Sequence, residues 1–374
     1  MKFDKRFWAT AFTLSGTIVG AGILGLPYVF SKSGFLIGLF WLFVLGFVML
    51  VVHLAMGEVA LRTKDIRQIP GYAKKYIGEK GKHLMTFAML FGIYSALIAY
   101  LIGGGESLSK IFTGDLSFSV YFALASWFIL TLLLREGLSG LKKFELWGVT
   151  GIIILILGIF IWYFPQVELS NLKSFYPSNF LIPFGVVLFA MLGFTSVPEL
   201  RQIVVKREKI LKKAIIYGTL IPVALYILFS MIFVGVFGNN VPEVATLSLG
   251  SIVVVLGVFT MYTSYFVLSF ALKDIFFFDY NLRNKNMSFI FVSLIPIIIY
   301  LIAVYIKMDS FVKFLGIGGV VSGGITGILI LLMNFKAKRK GNRKPEYSIP
   351  MNWLIIAILS FVFILGIVAE LFLG

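Results

Sequence analysis

Cysteine is absent from this 374-residue chain, and only two histidines are present. Without cysteine the chain can form neither a disulfide nor a thiolate metal site, and two histidines give little material for a metal centre or a catalytic triad. Charge is scarce too: 13% of the residues are charged, whereas about 25% is usual in soluble domains. The composition therefore gives no support for an enzyme and excludes a surface that faces water throughout.

Long apolar runs are what the chain has in place of charge. Hydrophobic residues make up 59% of it and gather in runs near the roughly 20 residues that a helix needs to cross a bilayer. Strands of a β-barrel are shorter and alternate in polarity, so the predicted fold is all-α and integral to the membrane, as one domain over 1–374. The eleven predicted spans cover 7–30, 34–61, 83–109, 118–134, 146–164, 181–200, 211–237, 248–272, 287–306, 310–333 and 351–373.

Basic residues lie mostly on one side of these spans. With the N-terminus placed in the cytoplasm, the cytoplasmic segments hold 28 of the 33 Lys and Arg residues and the outer segments hold 5. The positive-inside rule then predicts a multi-pass protein of the plasma membrane with a cytoplasmic N-terminus and an extracellular C-terminus. This topology accounts for the net charge of +16 without nucleic acid, and membrane lipid is the expected surrounding. The oligomeric state has no signature in the sequence.

The first and sixth spans carry glycine and proline in their middles. Gly22 lies five residues before Pro27, and Gly193 lies five residues before Pro198. Glycine costs about 1 kcal/mol relative to alanine inside a helix, and proline removes a backbone hydrogen bond, so both helices are predicted to unwind there. Unwound backbone is tolerated in a bilayer only where it lines a cavity or is buried in protein. The alternative is that both are kinks for close packing.

The spacing of the two interrupted spans divides the chain into halves. Because the sixth span is the first plus five, the chain reads as two five-helix repeats, about 7–164 and 181–333, with an additional helix at about 351–373. An odd number of helices per repeat places the two repeats in opposite orientations. This is the inverted-repeat plan of many secondary transporters, whose substrates bind at broken helices.

An interrupted helix offers free N–H groups to a carboxylate and free C=O groups to an ammonium group or a cation. An α-amino acid carries both charges. The carboxylate is expected at the amides of Gly20, Ala21 and Gly22, and the amine at the carbonyls of Phe189, Ala190 and Leu192. Residues 20–25 also match the dinucleotide fingerprint G-x-G-x-x-G, but no strand precedes them and no acid follows at the required distance, so that interpretation is rejected.

Three hydroxyl residues lie on one face of the eighth span. Thr260, Thr263 and Ser264 have i, i+3, i+4 spacing, and with the carbonyls of Gly16 and Val19 they form a reasonable shell of oxygen atoms for a small alkali cation. The alternative is that these hydroxyls donate back to carbonyls of their own helix, as hydroxyls in membrane helices often do.

Two carboxylates near the ends of spans are candidates for gating or proton exchange. Glu106 follows three glycines near the outer end of the third span, and Glu199 follows Pro198 at the inner end of the sixth. A carboxylate within a membrane is costly and is often functional. At the membrane interface, however, a solvated or helix-capping carboxylate is ordinary, and this second interpretation stays open.

The order and placement of several segments resemble the amino acid–polyamine–organocation superfamily. Two of these, 193–198 and 268–274, look most like the amino acid/auxin permeases and the bacterial tryptophan/tyrosine permeases. The resemblance covers essentially the whole chain. Its other segments are 16–27, 58–62, 70–72, 78–81 and 189–194.

This resemblance implies a leucine-transporter-like fold, with substrate held at the breaks of the first and sixth spans and alternating access by rocking. In sodium-coupled relatives an ion lies between the first and eighth spans, which on this chain corresponds to Gly16, Val19, Thr260, Thr263 and Ser264. Some proton-coupled relatives have a lysine of the fifth span there, and residues 146–164 contain none. The candidate walls of the side-chain pocket are Ile23, Tyr94, Ser95, Phe194, Thr195 and Phe259.

The sequence therefore predicts a sodium-coupled symporter of a neutral amino acid, aromatic or bulky aliphatic, because no acid lies mid-membrane in the binding spans to hold a cationic side chain. Thr195 departs from the histidine that bacterial aromatic permeases tend to have in the sixth span. No cofactor is expected besides a bound sodium ion. Proton symport is the alternative within the class, and a membrane sensor that binds amino acids without transport is the alternative outside it.

Overall fold

A computed structural model describes residues 5–136, 141–276 and 290–372, and within these ranges the chain is helical and contains no β-strand. Seven helical segments in them are long and apolar enough to cross a membrane. The prediction of an all-α membrane protein is confirmed at this level. The seven segments are Phe35–Leu61, Glu79–Thr113, Pro183–Ile203, Glu208–Asn240, Ser251–Asp274, Phe311–Lys340 and Trp353–Phe372.

The remaining predicted spans correspond to shorter or bent helices. Lys5–Ile18 and Ala21–Ser33 together qualify as one span that is bent by 49°. Three shorter apolar helices lie in the other predicted runs. Length and composition therefore establish seven spans, or eight with the bent pair. The three shorter helices are Ser119–Arg135, Ile153–Gln166 and Ile290–Tyr305.

Helices are labelled here in chain order. Several extend beyond their predicted apolar runs, since polar residues at both ends continue the helical hydrogen bonding; the helix predicted at 83–109 covers Glu79–Thr113. The helices are α1 Lys5–Ile18, α2 Leu26–Ser33, α3 Phe35–Leu61, α4 Ile69–Tyr76, α5 Glu79–Thr113, α6 Ser119–Glu136, α7 Leu141–Tyr163, α8 Leu169–Leu172, α9 Pro183–Ala190, α10 Val197–Ile203, α11 Leu211–Phe237, α12 Ser251–Asp274, α13 Ile295–Tyr305, α14 Phe311–Gly318, α15 Gly324–Lys340 and α16 Trp353–Phe372.

The first span is interrupted where glycine and proline predict it. After α1 ends, the N–H of Gly20 donates to the carbonyl of Ile18 at 2.9 Å and so leaves the helical pattern. Gly20 is extended, with φ −112° and ψ −160°. A 3₁₀ turn over Ala21–Gly25 leads into α2, where Pro27 occupies the first turn and its missing N–H removes no helical bond.

The sixth span is interrupted in the same way. Helix α9 ends at Ala190, a turn follows, and a 3₁₀ segment at Phe194–Ser196 precedes α10. Pro198 lies in the first turn of α10, the position that Pro27 has in α2. Both predicted breaks are therefore present, each with proline at the start of the second half-helix.

The tenth span contains a third interruption that was not predicted. A π-helical turn at Gly319–Gly323 separates α14 from α15. A Cβ at Gly319 would lie 2.7 Å from the backbone nitrogen of Phe189, so only glycine lets the tenth span approach the sixth this closely. The signal in the sequence is the glycine-rich run at 316–324, which lies within the apolar run predicted as the tenth span.

A proline in α11 joins the first span to the seventh. Pro222 has no N–H to donate to the carbonyl of Gly218 four residues earlier. The hydroxyl of Ser15 in α1 donates to that carbonyl instead, at 3.0 Å, and the contact is buried. The carbonyl that Pro222 leaves without a helical donor in the seventh span thus accepts a hydrogen bond from α1, the half-helix that leads into the first break.

The C-terminal half of α3 and that of α15 meet at a buried carboxylate. Glu58 pairs with Arg62 one helical turn later, Oε1 to Nε at 2.7 Å. It also accepts from the side chain of Asn334 at 3.1 Å and from the backbone N–H of Ile349 at 2.9 Å, while Lys338 lies 3.4 Å away. The carboxylate therefore connects three separate segments.

Large apolar side chains cover much of the outer surface. Ile161, Trp162 and Ile252 are each about three-quarters exposed or more. Such a surface suits lipid as the surrounding solvent. The breaks of the first and sixth spans lie on the inside of this arrangement, among buried residues.

Candidate functional site: two facing helix breaks

The breaks of the first and sixth spans lie against each other. A Cβ at Gly22 would lie 3.0 Å from Cδ1 of Phe189 and 3.2 Å from the Cα of Ala190. Reciprocally, a Cβ at Gly193 would lie 3.0 Å from Cδ1 of Ile18. The glycine of each break therefore packs on the last helical residues before the other. A side chain would be crowded at both positions, more severely at Gly193, where a Cβ would come closer still to Cγ1 of Ile18.

Two amides of the first break are free to donate hydrogen bonds to a ligand. Of the three amides predicted to bind carboxylate, that of Gly20 is used by the bond to the carbonyl of Ile18. Those of Ala21 and Gly22 donate to no group in the described ranges. Both residues are buried, so these N–H groups are costly unless a ligand or water accepts from them.

The second break also has free amides, which the sequence interpretation did not include. The N–H groups of Gly193, Phe194 and Thr195 have no acceptor among residues 5–136, 141–276 and 290–372. They lie at the start of the second half-helix, where the partial positive charge of a helix N-terminus favours an anion. Each break therefore presents unsatisfied donors.

The three carbonyls predicted to hold the amine differ in their surroundings. That of Phe189 accepts from the N–H of Leu192 at 3.1 Å. That of Ala190 accepts from the hydroxyl of Tyr226 at 2.7 Å. That of Leu192 accepts from no described residue. A carbonyl oxygen has two lone pairs, so all three keep the capacity to accept a bond from an ammonium group.

The predicted pocket walls separate into an inner and an outer set. Ile23 and Phe194 are buried at the breaks. Ser95 is buried on α5, donates to the carbonyl of Phe314 at 2.7 Å, and lies against Gly318 near the third interruption. Thr195 is exposed, and Phe259 is 48% exposed on α12.

Tyr94 is half-buried on α5, and its hydroxyl donates to the carbonyl of Phe291 at 2.9 Å. Its hydroxyl is therefore engaged with the ninth span. Of the six predicted wall residues, Ile23, Phe194 and Thr195 lie in the breaks, the first two buried and Thr195 exposed. Ser95 lies close to the sixth span through Gly318, which also contacts Phe189.

The predicted ion-binding oxygens are available in part. The carbonyls of Gly16 and Val19 accept no bond from the described residues. The N–H groups four residues later, those of Gly20 and Ile23, donate instead to the carbonyls of Ile18 and Gly20. Thr260 and Thr263 each donate to the carbonyl four residues earlier, at 2.8 Å. A hydroxyl that donates its proton still presents lone pairs to a cation, so back-bonding does not exclude coordination.

Ser264 is the hydroxyl that the structure places closest to the first break. A Cβ at Gly20 would lie 3.6 Å from its Oγ, in ordinary contact. Ser264 thus lies against the start of the first break. The donor set of carbonyls and hydroxyls is chemically suited to an alkali cation.

The two candidate gating carboxylates lie in different surroundings. Glu106 is half-buried in α5, and the charges of Glu243 and Asp309 lie close enough to repel its own. Glu243 itself accepts from the hydroxyl of Ser310 at 2.8 Å at the start of α14. Glu199 is exposed in the first turn of α10, where an acid interacts favourably with the helix dipole.

Tyr226 of α11 was missed by the sequence interpretation. Its hydroxyl lies 2.7 Å from the carbonyl of Ile18 and 2.7 Å from that of Ala190, the last residues of α1 and α9. Its side chain is fully buried. The signal in the sequence is weak: Tyr226 is one of two tyrosines in an apolar helix and lies four residues after Pro222.

The described ranges contain no group of three or more His, Asp or Glu side chains arranged to hold a metal ion. What the site offers is backbone: unpaired amides, unpaired carbonyls and nearby hydroxyls at two helix breaks. This combination of apolar spans with interrupted helices facing each other is typical of multi-pass membrane transporters.

Comparison with known proteins gives the family. Residues 3–246 match the tryptophan/tyrosine permease family, and the chain belongs to it. The chain is 24% identical over 347 residues to glutamine transporter 2 of Aliivibrio fischeri, covering 84% of this chain and 85% of that protein. It is also 24% identical over 236 residues to tyrosine-specific transport system 1 of Haemophilus influenzae, covering 61% of this chain and 57% of the other.

The fold has solved counterparts. Crystal structures of Eremococcus coleocola manganese transporter mutants superpose with a TM-score of 0.65, covering 99% of this chain and 89% of the other at 15% sequence identity. At this identity the likeness concerns the fold alone. It extends over the whole chain, including the part beyond residue 246 that the family match does not reach.

Proposed function

We propose that this protein is a secondary active transporter that carries neutral amino acids across the plasma membrane by alternating access. The observation that carries the proposal is the pair of facing breaks, in which unpaired amides and carbonyls lie together in the protein interior. A zwitterion supplies a carboxylate for the amides and an ammonium group for the carbonyls. Relatives named for glutamine and tyrosine transport support an amino acid as the substrate.

The arrangement of spans in this proposal is the predicted one. Eleven spans would form two inverted repeats of five, followed by α16 as an additional helix. The similar positions of Pro27 and Pro198 in their half-helices support the correspondence of the first and sixth spans. The distribution of basic residues supports a cytoplasmic N-terminus and an extracellular C-terminus.

Burial of the breaks supports alternating access. Ala21, Gly22 and Ile23 of the first break and Ala190 and Phe194 beside the second are all buried. A substrate that binds there must enter through movement of the helices, first from one side and then from the other. A channel, by contrast, needs a continuous open path.

The substrate side chain is expected to be neutral. The described side chains at the breaks, among them Ile23, Phe189 and Phe194, are apolar, and the nearest candidate acids lie toward the ends of spans. A cationic side chain would be left without a counter-charge. The apolar side chains at the breaks favour an aromatic or bulky aliphatic amino acid as the substrate.

Sodium is the proposed coupling ion, held by the carbonyls of Gly16 and Val19 with the hydroxyls of Thr260, Thr263 and Ser264. The unpaired state of both carbonyls and the closeness of Ser264 to Gly20 support this assignment. Proton symport is the second candidate, because Glu106 is a half-buried carboxylate beside two other acids.

Uptake into liposomes tests the proposal. Purified protein should take up labelled tyrosine, tryptophan or glutamine faster under an inward sodium gradient than under choline. Uptake that is independent of sodium and is abolished by a protonophore would show that protons, not sodium, are the coupling ion. Saturable binding without any flux would instead indicate a sensor.

Alanine substitution of the hydroxyls tests the ion site. The double variant Thr263→Ala/Ser264→Ala removes two proposed ligands and little volume, so sodium dependence should weaken while the protein stays folded. Ser269→Ala is the matched control, since Ser269 is a buried hydroxyl of the same helix outside the proposed shell. Unchanged sodium dependence in the double variant would rule out this site.

A further inference from the structure

A single phenol lies between the two helix breaks. Tyr226 extends from α11, and its oxygen lies 2.7 Å from the carbonyl oxygens of both Ile18 and Ala190. These two carbonyls terminate the first half-helices of the first and sixth spans. Contacts of 2.7 Å on both sides limit the distance between the carbonyl oxygens to at most 5.4 Å.

The same two residues take part in the glycine contacts between the breaks. Ile18 packs on Gly193, and Ala190 packs on Gly22. The hydroxyl of Tyr226 therefore binds where the two interrupted helices cross. Its side chain is fully buried, so water does not compete for these bonds.

The hydrogen bonding at this point is incomplete by one proton. A phenol has one O–H to donate, whereas two carbonyls lie within bonding distance of it. In a two-centre bond one carbonyl receives the proton and the other faces an oxygen atom. The proton can alternate between the two carbonyls or be shared in a three-centre bond, which keeps both carbonyls at the phenol, and each carbonyl still has a second lone pair for an ammonium group or a cation.

We propose that Tyr226 is a positioning residue that fixes the break of the first span against the break of the sixth, and so sets the distance between the groups that bind the two charges of the substrate. The inference rests on the proposed amino acid transport. A zwitterion that bridges both breaks gains from this fixed distance because its two contacts are formed without further ordering. A ligand with only one charge gains little from it.

The test compares an amino acid with the amino alcohol derived from it. Tyrosine, tryptophan and glutamine are assayed for uptake, and tyrosinol, tryptophanol and glutaminol, which lack the carboxylate, are assayed as competitors. In Tyr226→Phe the KM for the amino acid should rise about tenfold, equivalent to about 1.4 kcal/mol. The inhibition constant of the amino alcohol should change less than about threefold, so the preference for the zwitterion falls.

Tyr347→Phe is the matched control. Its hydroxyl donates to the carbonyl of Leu54 at 2.8 Å, a bond of similar length and chemistry on the cytoplasmic side of the second span. Both variants lose one phenol–carbonyl bond, so thermal unfolding should report a comparable loss of stability for the two. Only Tyr226→Phe should lose the preference for the amino acid over the amino alcohol.

A merely structural role for Tyr226 predicts a different result. If the amino acid and the amino alcohol weaken equally in Tyr226→Phe, or if neither changes, the positioning role is overturned while amino acid transport stands. If the wild type takes up none of the three amino acids, the proposed function fails and this inference fails with it.

A second variant covers the case in which Tyr226→Phe does not fold. Tyr226→His keeps a ring and one N–H donor, but the smaller ring cannot hold both carbonyls at once. Its preference for amino acid over amino alcohol should fall at least about threefold below that of the wild type. An unchanged preference in a folded Tyr226→His protein would overturn the proposal.

Discussion

Replacing Gly193 by alanine tests the contact between the two breaks. A Cβ at this position would lie 3.0 Å from Cδ1 of Ile18 and 3.2 Å from Cδ1 of Leu14, and closer still to Cγ1 of Ile18. Both neighbours are buried at the end of α1 and cannot turn toward solvent. Overpacking in a buried site of this kind costs about 1–3 kcal/mol.

The helix propensity of alanine does not offset this cost, because Gly193 lies between α9 and the 3₁₀ turn that follows, outside any helix. The added methyl group should also move the sixth span away from the first. We therefore expect Gly193→Ala to unfold at a lower temperature than the wild type and to raise KM for the amino acid.

Gly158→Ala provides the control. Gly158 lies within α7, and a Cβ there would meet nothing within 4 Å. Alanine in a helix interior gains about 1 kcal/mol over glycine, so this variant should be as stable as the wild type or more stable. Thermal unfolding of the purified proteins, with uptake kinetics in liposomes, measures both effects. If Gly193→Ala matched Gly158→Ala in stability and KM, the close contact between the breaks would be refuted.

Two further variants test the connections that hold the breaks in place. Ser15→Ala leaves the carbonyl of Gly218 buried without a donor, so thermal unfolding should show a loss of about 1–3 kcal/mol; full stability would show that this bond is dispensable. Glu58→Gln leaves two basic groups without their carboxylate and should cost about 3–5 kcal/mol. Glu79→Gln removes only an exposed ion pair and should leave the unfolding temperature nearly unchanged, so equal losses in the two variants would show that burial of Glu58 does not matter.

Much of the fold follows from periodicity and composition. Continuous apolar runs identify the helices, because in a bilayer the backbone N–H and C=O groups must form hydrogen bonds with each other within each span. The paired Gly–Pro elements at Gly22 and Gly193 locate both breaks, since glycine and proline act on the local backbone of their own helix. Local signals of this kind can be read without knowing which helices are neighbours.

The connections between helices could not be read in this way. Tyr226 acts only because two carbonyls from distant segments converge on it, and Ser15 acts only because Pro222 frees a carbonyl 203 residues away from it. The π-turn at Gly319 depends on the approach of the sixth span. Phe259, predicted to line the pocket, is 48% exposed. The sequence of α12 does not show which face of the helix points inward, because that depends on the helices packed around it.

Steady-state accumulation in liposomes is the decisive measurement for coupled transport through the facing breaks. Liposomes that contain the purified protein are given labelled tyrosine, tryptophan or glutamine with an inward sodium gradient, and the internal and external concentrations are compared at the plateau. Sodium-coupled transport predicts accumulation above the external concentration, and this accumulation should collapse when an ionophore dissipates the gradient. A plateau at equal concentrations, or binding with no entry, would contradict coupled transport through the facing breaks.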